Sequence, residues 1–129
     1  MEIALRAALI DHLASDPLIA PQLCTITEEA PARASLPWLA IVASAGADWS
    51  HKTGEGREIR LALELQTRGD EPATANALVQ QIENRVAAMP ADQQGFRVAS
   101  ILFLRSRVEQ RGGTTRAVLL EYRFRLLAA

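Results

Sequence analysis

The side chains best suited to covalent or metal chemistry are thinly spread in this chain. His12, Cys24 and His51 stand far apart, without the short paired spacings of a zinc site. Read individually, His12 falls on a helix edge and His51 in a loop, both solvated, while Cys24 reads as a small buried strand residue. No serine sits in a G-x-S-x-G elbow or has a base close by in sequence. Gly54-Glu55-Gly56 and Gly112-Gly113 lack the spacing of a phosphate-cradling loop and do not lead from strand into helix, so they read as turns. These residues predict no catalytic group, no metal and no cofactor.

What remains is contact chemistry. Arg105, Arg107, Arg111, Arg116, Arg123 and Arg125 concentrate near the C-terminus. They suit either a surface that meets an acidic partner or nucleic acid, or solvated strand positions that guard a sheet edge. Trp49 sits in the otherwise polar stretch Gly46 to Gly56. A large ring there either folds back onto its own domain or anchors a partner, a role for which interfaces favour tryptophan.

The bulk composition narrows the classes. The chain has 129 residues, 49% hydrophobic and 22% charged, enough to bury a core within one domain, residues 1–129. Its 14 basic and 15 acidic residues leave a formal net charge of -1, which argues against general nucleic-acid binding. The lone Cys24 cannot form an internal disulfide. Glu2, Arg6 and Asp11 interrupt any signal-peptide core, and no apolar run is long enough to span a bilayer, which predicts a soluble, cytoplasmically made domain.

The elements that must carry these residues are legible in the pattern. Ile59, Leu61, Leu63 and Leu65 alternate with Glu58, Arg60, Ala62, Glu64 and Gln66, the period of a half-buried strand. Residues 2–15 read as an amphipathic helix ended by Asp16-Pro17, and Leu23 to Thr27 as a short strand. Trp38-Leu39-Ala40-Ile41-Val42 suits a strand buried on both faces, followed by a long loop over 45–56. Asp70 is placed to cap a second helix, with Glu71 in its first turn, that runs to Met89-Pro90. Arg97 to Glu109 and Thr115 to Leu127 flank Gly112-Gly113 as a hairpin. With those glycines as a two-residue turn, Phe103 faces Tyr122, Ile101 faces Phe124, Ala99 faces Leu126, and Arg116 lies opposite Glu109. The expected class is α+β: a largely antiparallel sheet of about four to five strands with two helices on one face, in the order α-β-β-β-α-β-β.

Trp38-Leu39-Ala40-Ile41-Val42, then Trp49-Ser50, Lys52-Thr53 and Gly56 before the alternating strand, resemble the DUF3168 family of tail-completion, or tail-terminator, proteins of long-tailed phages, prophages and gene transfer agents. The order of elements follows that family across nearly the whole chain. The resemblance implies a structural, non-catalytic protein. It would form a homo-oligomeric ring, hexameric in the particle, that caps the tail tube and joins it to the head–tail connector. It would be made in the bacterial cytoplasm and end in the virion or gene transfer agent tail, away from membranes. DNA passing through the ring would be met without sequence-specific contacts. Another neck or minor tail protein of the same build is the nearest alternative, and a small ligand-binding domain or enzyme a more distant one. Loop chemistry marks Trp49 as the apolar anchor and Lys52 and Arg57 as orienting charges, with Arg123 and Arg125 as further interface candidates.

Overall fold

The computed structural model describes residues 1–129 as two helices packed on one side of a six-stranded mixed sheet. Helix α1 (Glu2–Ala14) leads through a single 3₁₀ turn (Ala20–Gln22) to β1 (Thr25–Thr27), β2 (Trp38–Asp48) and β3 (Gly56–Arg68). Helix α2 (Pro72–Ala87) is followed by β4 (Asp92–Gln93), β5 (Phe96–Gln110) and β6 (Thr115–Ala128). The sheet order is β1-β2-β3-β6-β5-β4, with every neighbouring pair antiparallel except β1 against β2. The α+β class therefore holds; β4 is the strand that the sequence pattern lacks, because two residues are too few to show a period.

The alternation in β3 does what it predicts. Ile59, Leu63 and Leu65 are fully buried and Leu61 nearly so, all joined to Leu5, Leu9 and Leu13 of α1 and Leu78, Ile82 and Val86 of α2 in one core cluster. Phe124 and Leu126 complete that cluster from the adjacent strand. Trp38 to Ile41 are buried, as a strand covered on both faces requires.

Several local expectations change. Residues 45–48 continue β2 instead of opening a loop, and β3 begins at Gly56, so the connection shrinks to a short hairpin closed by a bridge between His51 and Gly54. Glu71, not Asp70, occupies the position before α2, and no side chain caps that helix; Pro72 takes its first turn. Cys24 is exposed and precedes β1, its thiol donating to the Leu36 carbonyl at 3.4 Å. His12 is half-buried: its Nε2 lies 2.7 Å from the Arg85 carbonyl, while Arg85 Nε donates to the His12 carbonyl at 2.9 Å, tying the two helices together.

The C-terminal hairpin is joined by Arg111–Thr114, and only Gly113 there has a positive φ, of 67°. Near the turn Gln110 pairs with Arg116 and Glu109 with Ala117, one residue away from the two-residue-turn arithmetic. A bulge between Phe103 and Arg105 absorbs that residue, so Phe103 does face Tyr122 and Ile101 does face Phe124. A second bulge, between Val98 and Ser100, removes Ala99 from the pairing and sets Val98 against Leu126.

Candidate functional site

The side of the sheet away from the helices bears no helix or second sheet, and its residues follow from the register. Glu58, Arg60, Ala62 and Glu64 on β3 stand beside Arg125, Arg123, Glu121 and Leu119 on β6. Glu58 Oε1 receives Arg125 Nε at 3.1 Å and lies 3.8 Å from Arg123 Nε. The Arg123 Nε is buried without a hydrogen-bond partner. Arg105 donates to Glu121 at 2.5 Å, and Arg107 lies 3.5 Å from Glu109. Arg111 reaches back across β6 to Glu64 at 3.1 Å and also binds Glu109. Those two carboxylates, Glu109 foremost, raise the Arg111 pKa above its ordinary value. Arg116 donates to the Gly69 carbonyl at 3.0 Å rather than facing Glu109. Five of the six hairpin arginines thus have a hydrogen-bond or close ion-pair partner within the chain, and Arg123 has only the longer ion pair to Glu58.

At one end of this face the β2–β3 hairpin places Trp49. Its N–H donates to the Gly56 carbonyl at 2.9 Å, which continues the strand pairing past Asp48. The indole packs edge-on to the His51 ring at 4.5 Å, and the Arg125 guanidinium sits 5.4 Å from its centroid, a cation–π arrangement. The ring is half-buried: it leans on its own domain and keeps an open side.

Two residues of the motif are structural: Gly56, in keeping with its reading as a turn residue, and Ser50, in a role that sequence reasoning did not assign. Ser50 Oγ donates to Asp48 at 2.6 Å and accepts from the Gly56 N–H at 3.1 Å, which staples the hairpin base. Gly56 is buried, and a Cβ there would collide with the Trp49 carbonyl oxygen and lie 3.0 Å from that of Leu126. Serine and glycine at a strand end are a turn signal in any sequence; the crowding from Leu126 depends on a third strand and has no local signature.

The five candidate interface residues do not form one cluster. Trp49, Arg123 and Arg125 come together on the helix-free face. Lys52 is exposed at the hairpin tip. Arg57, also exposed, pairs in register with Asp48 and projects towards the helix side, where it lines a surface hollow with Met1, Glu2, Ile3, Gly46 and Ile59. No group of three or more His, Cys, Asp or Glu residues is placed to hold a metal ion. No helix is long and apolar enough to cross a membrane.

Comparison with known proteins assigns the chain. No curated protein matches it. Among solved structures, a chain in the virion of a native gene transfer agent particle superposes with a TM-score of 0.80 at 24% identity, covering 99% of this chain and 97% of that one. The gp17 protein of bacteriophage SPP1 superposes with a TM-score of 0.64 at 18% identity, covering 95% of this chain and 88% of that one. At those identities the likeness is one of fold. The family profile of the tail completion protein gp17 matches residues 7–127, and with nearly its full length matched the chain belongs to that family of structural phage-tail proteins.

Proposed function

We propose that this chain, acting as one domain over residues 1–129, closes the end of a phage-type tail tube as a ring of identical copies. The ring, hexameric in the assembled particle, stops tube growth and offers its other annular face to the head–tail connector. The observation that carries this reading is membership of the tail-completion family across residues 7–127. A head-to-tail contact repeated about an axis closes into a ring when its rotation allows, leaving two unlike faces for two unlike neighbours. The β2–β3 hairpin suits such a face, because Ser50 and the neighbouring strands hold it rigidly. It presents Trp49 as an apolar anchor with Lys52 at its tip and Arg123 and Arg125 alongside.

The protein is made in the bacterial cytoplasm and carried in the tail of the virion or gene transfer agent. DNA crosses the ring without sequence-specific contact, consistent with a formal net charge of -1.

Electron microscopy of particles lacking this chain tests the reading. Unjoined heads together with tubes of uncontrolled length are expected. Normal particles of normal tail length would refute it. Labelled chain found at another level of the neck would favour the neighbouring-ring alternative.

A further inference from the structure

We propose that the apolar groove between α2 and the free edge of β5 is filled by Ile3 of a second copy, whose free β2 edge extends the sheet at β5. This rests on the ring reading above and specifies the contact that closes the ring.

Both sheet edges are open over most of their length. β1 covers β2 only at Trp38–Ala40, and β4 covers β5 only at Phe96–Arg97. Val98 N–H donates to the Ala91 carbonyl at 2.7 Å, and beyond it residues 99–110 of β5, like residues 41–48 of β2, present unpaired backbone groups of the kind that pair with another chain. The register carries heights across the sheet: Gly46 aligns with Ile59, Phe124 and Ile101, and Ala45 with Arg60, Arg123 and Leu102. The two open stretches therefore overlap in height, and the cover at each end lies outside the overlap. β2, β3, β6 and β5 alternate in direction, so a copy rotated about an axis along the strands brings its β2 antiparallel to β5.

The side chains are complementary at that height. The groove, about 460 Å³, is lined by Met89, Val98, Ile101, Phe103 and Tyr122, with Glu83 among them. Tyr122 is 3% exposed and its hydroxyl has no partner. On the opposite edge Ile3, 77% exposed, lines the same surface hollow as Gly46 at the start of α1. Side by side, the copies set this knob level with Ile101. Arg57 stands next to Ile3 and makes no ion pair in its own chain, nor does Glu83 in the groove; across the contact they are opposite charges. Pairing β5 with β5 of another copy would leave Ile3 and the β2 edge bare and bring Arg105 and Arg107 towards their own duplicates.

Particles carrying Ala45→Cys and Leu102→Cys in a Cys24→Ser background provide the test. Both positions lie outside the core, and the register places them side by side across the contact. Oxidation is expected to give a ladder of covalent multimers that disappears in either single variant. No ladder from particles whose micrographs show a ring at the tail end overturns this contact and leaves the ring reading standing. Covalent dimers from Leu102→Cys alone overturn it in favour of β5–β5 pairing. Absence of the chain from the tail end overturns the ring reading and this inference with it. Ile3→Asp should leave monomer melting unchanged and weaken assembly by about tenfold or more, the worth of one buried aliphatic side chain, while Ile3→Leu assembles normally. Undiminished assembly of Ile3→Asp refutes the knob.

Discussion

Replacing Gly56 by alanine pits two effects of opposite sign against each other. Alanine restricts the unfolded chain and on that account stabilises by about 0.4–1 kcal/mol at a compatible site. Gly56 is not compatible: the new methyl group meets the Trp49 carbonyl, with the Leu126 carbonyl oxygen and the Trp49 carbonyl carbon each 3.0 Å away. Backbone cannot swing aside as a long side chain does, and Trp49 is held by its own hydrogen bond to Gly56 at 2.9 Å. Overpacking of this sort costs about 1–3 kcal/mol. Subtracting the entropic gain, midpoint from midpoint, leaves a net loss of about 1.3 kcal/mol and at most about 2.6 kcal/mol, a fall of about 5 °C in Tm at the midpoint for a domain of this size. Urea and thermal unfolding followed by circular dichroism measure it. Gly54→Ala is the control, since nothing lies within 4 Å of its Cβ position, and it should be neutral or slightly stabilising. Gly56→Ala as stable as the parent would refute the claim that backbone crowding selects glycine there.

Leu63→Asp places a carboxylate in an apolar cluster with no cation in it and should abolish folding; a soluble, cooperatively melting variant would mean that the inner face of β3 is misassigned. Trp49→Ala removes one aromatic pair and one cation–π contact, so it should cost about 1–2 kcal/mol of stability while severely weakening ring or tube association. Normal assembly of that variant, scored by micrographs, counts against the anchor role. Tyr122→Phe removes a buried hydroxyl that has no partner, so unfolding should show no loss and up to about 1 kcal/mol of gain. Burial first, and then Glu83, push the Tyr122 hydroxyl well above its usual value of 10.0. Its unfolded state therefore ionises first, so the stability it contributes is whole below that value and is lost as pH rises towards the folded pKa. Stability of the parent should fall more steeply than that of Tyr122→Phe above pH 10.0, and parallel curves would show the shift to be absent.

The period of β3 was readable because one face is buried and the other is not; burial writes an alternation into the residues themselves. The end of β2 was not readable, because Ala43, Ala45 and Gly46 are exposed at an open edge where nothing selects for apolar alternation. In the hairpin, the Phe103–Tyr122 pairing follows from an assumed two-residue turn only because the bulge near Leu104 cancels the longer connection. Bulges are set by strand curvature, which has no local sequence signature. The same holds for the site. Tryptophan in a polar stretch marks Trp49 from residue type alone, whereas its apposition to Arg125, the stapling by Ser50 and the mismatch between Arg57 and the other candidates depend on which strands become neighbours.

The sheet side that bears no helix has a consequence for the chain on its own. Leu119 and Ala117 are buried there although no other layer covers them, lying beneath the span by which Arg111 reaches Glu64. Arginines laid over the strands in this way, paired with Glu58, Glu64, Glu109 and Glu121 but outnumbering them, give the sheet a polar and net positive cover. Two such faces brought together would set like charges against each other, which opposes face-to-face stacking of copies.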